Sequence, residues 1–201
     1  MNNPALLIFI KNPELGKAKT RLAAEVGDER ALLMYRQLLA YTREQTAALT
    51  GVSRHLYYSS FVDQNDEWPG RQFLKFVQRG DDLGDRMLGA FDHAFARGHT
   101  GVVIIGSDCP GVTTELLERA FVALKTADVV LGPATDGGYY LLGLRRPQPT
   151  LLTDMEWSTA EVAEQTRARA RVRGLRVEEL EMLSDVDYLG DWEGYGWGVP
   201  G

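Results

Sequence analysis

Apolar residues along this chain follow two rhythms, one of continuous runs and one of helical spacing. Ala5 to Ile10, ALLIFI, is an unbroken apolar run, as expected for a strand covered on both faces of a parallel sheet. A loop with Pro13, Gly16 and several lysines follows, and from Asp28 to Thr50 the spacing turns helical, with Leu32, Tyr35 and Leu39 on one side. RHLYYSS reads as a second strand, FVDQNDEWPG as an exposed excursion broken by Pro69 and Gly70, and QFLKFVQ as a short third strand. Between Asp82 and Gly98, Met87, Ala90, Phe91, Ala94 and Phe95 share a helical face, with Gly98 set to stop the helix. GVVIIG is the next buried strand. Thr113 or Thr114 then caps a helix carrying Leu117, Ala120, Phe121 and Leu124. DVVLGP and GYYLLGL read as strands, Ser158 with Glu161 as a capping box for a helix toward Arg173, and LRVEELEML as the last strand. The alternation of strands and helices predicts an α/β layered domain with a largely parallel sheet.

Composition narrows the class without naming a chemistry. The 201 residues suit one domain with its own core, here residues 1–192, with 193–201 as a Gly-rich tail that orders only by docking. Hydrophobic residues make up 44% and no run approaches the length of a membrane helix, so a soluble, cytoplasmic protein without membrane contact is expected. Cys109 is the sole cysteine, which rules out an internal disulfide and a Cys-based zinc site. Its thiol is expected to be packed or inert. A net charge of -6 argues against nucleic-acid binding. The Trp-rich and Gly-rich C-terminus, if exposed, would favour a homodimer.

Ligands of open α/β sheets bind beyond the carboxyl ends of the strands, which directs attention to four loops. The first, KNPELGKAKTRL, holds Lys11, Lys17, Lys19 and Arg21 between a buried strand and a helix; it is either a basic surface loop or an anion site. In GSDCP, Asp108 follows a buried strand and either holds a hard cation through oxygen or bonds its own turn. In GPATDGGYYLLG, Asp136, Gly137, Gly138 and Tyr139 form either a close-approach ligand loop or a plain turn into a strand. Asp185 and Asp187 face one side of an extended chain and could share a cation or be solvated. Trp157 walls a pocket or staples the start of a helix.

Taken in order, KNPELGKAKTRL, DDLGDRMLGAF, IIGSDCPGVT, LGPATDGGYYLLGL, MEWST and LSDVDYLGDW resemble the nucleotide-diphospho-sugar transferase-like family, some of whose members are linked with arsenosugar biosynthesis. The resemblance runs from about Leu6 to Trp192. It implies the GT-A fold, a Rossmann-like three-layer α/β/α domain with a mostly parallel sheet and one reversed strand. By that resemblance Lys11, Lys17, Lys19 and Arg21 embrace a nucleotide; the glycines Gly137 and Gly138 and the aromatic Tyr139, read from their own loop, are expected beside it. Asp108 and Asp187 hold Mg2+ or Mn2+, and Lys19, Arg21 and Asp136 take catalytic roles. The opening loop is also similar to that of 2-phospholactate guanylyltransferase. Glycosyltransferases of this fold commonly carry Asp-x-Asp at the metal, whereas here Asp108-Cys109-Pro110 offers one carboxylate, as in nucleotidyltransferases. The expectation is a metal-dependent transferase acting on a nucleoside triphosphate or nucleotide-diphospho-sugar and a small-molecule acceptor, with nucleotidyl transfer favoured. A glycosyltransferase is the alternative, and a non-catalytic nucleotide-binding or scaffold protein the rival.

Overall fold

The computed structural model describes residues 3–200. Its sheet has seven strands in the order β3-β2-β1-β4-β6-β5-β7. They are β1 (Ala5–Ile10), β2 (Ser53–Tyr58), β3 (Phe73–Val77), β4 (Val102–Ile105), β5 (Val129–Pro133), β6 (Tyr139–Leu144) and β7 (Val177–Glu179). β6 runs antiparallel to both β4 and β5, and the remaining pairs are parallel. The expected mostly parallel sheet with one reversed strand is what the chain builds.

Helices α1 (Thr20–Val26), α2 (Asp28–Ala47), α3 (Leu83–Ala96), α4 (Thr114–Ala123), α5 (Val162–Val172) and α6 (Leu189–Gly194) cover the two faces. β1 shows why its apolar run is continuous. Leu6, Ile8 and Ile10 pack with α1, α2, α4 and α6, while Ala5, Leu7 and Phe9 pack with α3 and α5. No helix among the described residues is long and apolar enough to cross a membrane.

Local details correct the sequence reading. The helix expected from Asp28 is α2, and it is preceded by the short α1, which the apolar spacing did not predict, with Gly27 at φ 85 between them. The buried stripe of α2 is Ala31, Met34, Tyr35, Leu38 and Leu39; Leu32 lies at its half-buried margin. The excursion after β2 is anchored by Trp68, which is buried edge-on against Phe73. Thr113 is the residue that caps α4, its hydroxyl accepting from Leu116 N at 3.2 Å.

The capping box at Ser158 and Glu161 does not form. Ser158 sits in the left-handed region at φ 64, and α5 starts at Val162 with Glu161 at its N-cap and no side-chain cap bond. The last strand is shorter than expected, with only Val177–Glu179 regular and a single further bridge from Leu183 to Ala134. At the C-terminus Trp192 is fully buried, and Trp197 lies edge-on against Trp192 and Tyr41 at 5.0 and 5.4 Å between ring centroids. Both indoles thus pack on their own chain, Trp192 fully buried and Trp197 partly so.

Candidate active site

β1 and β4 are neighbours, yet the chain leaves β1 for β2 on one side and reaches β4 on the other. This is the sheet's topological switch point, where a crevice opens above the strand ends. The loop after β1 and the loop after β4 therefore stand side by side. A third segment joins them, because Val186 N donates to the Asp108 carbonyl at 2.9 Å and fixes residues 185–187 against the β4 loop.

Lys19 lies at the centre. It occupies the N-cap of α1 with φ 53, a left-handed conformation rare for a residue with a β-carbon, and only 5% of its side chain is exposed. Its Nζ donates to Asp108 Oδ2 and to the Val186 carbonyl, both at 2.7 Å, and lies 3.5 Å from Asp187 Oδ1. Arg21 Nη1 donates to Asp187 Oδ2 at 2.7 Å. Lys19, Arg21, Asp108 and Asp187, singled out from sequence separately, thus form one contact group. Burial alone would raise the Asp108 carboxyl, but the Lys19 ammonium outweighs it and holds the group below its ordinary value. Burial likewise opposes the charge on Lys19, and Asp108 more than restores it.

The other basic residues stand apart. Lys17 is exposed and paired with Glu14 at 2.9 Å, and Lys11 is exposed at the strand end, its charge adding to the pull that lowers Asp108. Gly137 serves the protein's own packing. At φ 89 it lies against Ala160, where a β-carbon would come within 2.0 Å of the carbonyl oxygen. Asp136 Oδ1 accepts from Gly138 N at 2.9 Å, and the rest of that exposed carboxylate faces a cavity of about 440 Å³. Tyr139 and Trp157, edge-on with ring centroids 6.4 Å apart, wall this cavity, and Arg21 and Asp185 reach it from the charged group. The pocket role of Trp157, rather than stapling of a helix, is the one its position supports.

Two contributors were not singled out from sequence as site residues, and a third, Asp185, was read only as half of a pair that could share a cation with Asp187. Asp185 is pushed up to about 7 by burial first and by Asp108 next. Asn12, buried at 3% exposure, ties the first loop to the segment after β2 by accepting from Ser60 N and donating to the Phe61 carbonyl. Tyr35, on α2, bonds the backbone of Lys11 and the hydroxyl of Ser107. Asp185 was visible as half of an Asp-x-Asp pair; the other two carry no local signal, since an Asn before Pro and a Tyr on a helical stripe are ordinary.

The donor chemistry at Asp108 and Asp187 fits a hard divalent cation. Both are carboxylates with more than a third of the side chain exposed, 38% and 36%, which leaves room for water or phosphate oxygens. Among the described residues no three His, Cys, Asp or Glu side chains are grouped so as to hold a metal, so Asp108 and Asp187 would hold such a cation together with water or ligand oxygens.

Known proteins share this architecture. The structure of a "putative nucleotide-diphospho-sugar transferase" from Desulfovibrio desulfuricans G20 is 35% identical, with a TM-score of 0.90 over 97% of this chain and 87% of that one. The phosphoenolpyruvate guanylyltransferase of Sphaerobacter thermophilus is 25% identical over 89% of this chain and 86% of its own. CMP:2-keto-3-deoxy-manno-octonic acid synthetase complexed with CTP shares the fold, with a TM-score of 0.58 at 12% identity over 96% of this chain and 97% of that one. The family described as "Uncharacterized protein conserved in bacteria (DUF2064)" matches residues 42–159. The chain belongs to this bacterial family, and with it to the nucleotide-diphospho-sugar transferase-like proteins that its sequence resembles.

Proposed function

We propose that this protein is a metal-dependent transferase that acts on a nucleoside triphosphate or nucleotide-diphospho-sugar, with nucleotidyl transfer to a small-molecule acceptor as its leading reaction. The reading rests on the Lys19 ammonium within 2.7 Å of Asp108 and 3.5 Å of Asp187, which joins a cationic loop to two carboxylates at the switch point. The relative named as a guanylyltransferase supports the same class of reaction.

Asp108 and Asp187 would hold Mg2+ or Mn2+. When bound, such a cation supplies a Lewis acid that draws charge from phosphate oxygens. Lys19 and Arg21 are already fixed by their carboxylate partners, so they present positive charge to the nucleotide with little reorganisation. In nucleotidyl transfer an acceptor phosphate or phosphonate attacks the α-phosphorus and pyrophosphate leaves. Lys19 and Arg21 neutralise the charge that develops on the leaving group, while Lys17 and Lys11, exposed on the same loop, draw the polyphosphate in. Gly138 and Tyr139 line the neighbouring cavity, where the acceptor would sit.

Glycosyl transfer is the second reading, and the carboxylate of Asp136 facing that cavity is the observation that favours it. There Asp136 would take the proton of an acceptor hydroxyl as general base. Product analysis separates the two: purified protein with Mg2+ or Mn2+ is given nucleoside triphosphates, sugar nucleotides and an acceptor panel. Pyrophosphate release supports nucleotidyl transfer, and nucleoside diphosphate release supports glycosyl transfer. Metal-dependent binding with neither product supports a nucleotide-binding protein without turnover.

A further inference from the structure

The two loops that build the site are also joined from beneath, through a side chain on the helix layer. Tyr35 of α2 is 1% exposed, in the core between α2 and the sheet. Its hydroxyl accepts from Lys11 N at 2.9 Å and lies 3.1 Å from the Lys11 carbonyl and 3.2 Å from Ser107 Oγ; with Ser107 Oγ donating to Asp108, the single phenol proton is the one that bonds Ser107, and it is shared with that carbonyl. Ser107 in turn meets Asp108, whose Oδ1 lies 3.2 Å from Ser107 N and 3.3 Å from Ser107 Oγ. Asp108 Oδ2 receives Lys19 Nζ. A continuous line of polar contacts thus runs from the start of the first loop through one phenol to the carboxylate and back to the lysine at the other end of that loop.

We propose that Tyr35 is a positioning residue that sets the Asp108 carboxylate relative to the first loop, so that metal and phosphate are gripped as a unit; this rests on the transferase reading above. A hydroxyl in the core is worth having only when its bonds are made, and here they all go to the two loops of the site. Ser107 holds the Oδ1 edge of Asp108 and Lys19 holds the Oδ2 edge, which defines how the carboxylate is turned. Without the phenol oxygen, Ser107 is free to rotate away from Asp108, and Lys11 loses the anchor that sets where the loop leaves β1. Packing alone needs only the ring, which Phe would supply unchanged. The hydroxyl is therefore the part of Tyr35 assigned to function.

The test compares Tyr35→Phe, Ser107→Ala and the double variant, each checked first for a melting temperature near that of the parent. Mn2+ with a nucleoside triphosphate is titrated and free Mn2+ is read by electron paramagnetic resonance. Each single variant is expected to weaken Mn2+-nucleotide binding about tenfold, and the double variant to lose little more, because residues acting as one line are non-additive. Tyr35→Phe that folds and binds like the parent, or single losses that simply multiply in the double variant, would overturn the proposal. Hydrogen exchange at the Lys11 amide needs no ligand and so separates this proposal from the transferase reading. Ser107→Ala should speed that exchange severalfold although Ser107 makes no hydrogen bond to Lys11, whereas an unchanged rate means that Tyr35 does not couple the loops. A parent protein that binds no Mn2+-nucleotide while Ser107→Ala still speeds exchange would sink the transferase reading and leave the coupling standing.

Discussion

Two buried polar groups, one beyond the strand ends and one on a strand of the same sheet, are managed in opposite ways. At the carboxyl ends of β1 and β4, Lys19 stays charged in a nearly closed setting because Asp108 and Asp187 surround it. On β2, His55 is fully buried with its ring 5.0 Å from His99 and 6.3 Å from His93, and with Nδ1 unpartnered among the described residues. Burial first, then His99, His93 and Arg97, push its pKa down to about 4. The first group collects opposite charges where a ligand can reach them, and the second suppresses charge where none can. Buried polarity marks a site only when the charge is kept and left partly open.

The contrast is sharpest in substitutions. Lys19→Met should cost about 100-fold in turnover, the scale of one oriented charge lost from a transfer site, whereas His55→Leu should leave turnover within about twofold. Steady-state kinetics on both variants checks this, and equal losses would erase the distinction. Next comes acid stability. Below pH 6.5 the unfolded chain protonates His55 while the folded chain refuses the proton until about pH 4. The His55 contribution should therefore fall across that window by up to about 1.4 kcal/mol per pH unit, against an opposite rise from Asp185, whose folded carboxyl keeps its proton up to about pH 7, and the difference between the parent and His55→Leu isolates it. The depressed Asp108 acts lower down: its contribution is present above the ordinary value of 3.8 and is lost as pH falls through the folded value. Denaturant titrations at several pH values distinguish the two. The smallest effect belongs to Lys17. Its exposed pair with Glu14 should contribute under about 0.5 kcal/mol to stability, while Lys17→Ala should reduce nucleotide affinity and its salt dependence.

The fold was legible because its strands are apolar enough to announce burial on both faces, as β1 and β4 do, and α3 is framed by Asp82 and Gly98. Errors fell where tertiary contacts override local chemistry. Ser158 and Glu161 have the spacing of a capping box, yet Gly137 packs on Ala160 and its carbonyl takes Ala163 N at 3.0 Å, so the helix starts later. The charged half of the site was readable from loops that follow strands. Tyr35 and Asn12 were not, because each acts through partners 24 and 47 or more residues away that no local pattern records.

The most direct test is calorimetric titration of the parent protein and Asp108→Asn with nucleoside triphosphates and sugar nucleotides, with and without Mn2+. The account predicts that at least one nucleotide binds the parent far more tightly with Mn2+ and that Asp108→Asn loses this gain by tenfold or more. Nucleotide binding that ignores Mn2+, or that survives Asp108→Asn unchanged, would contradict it.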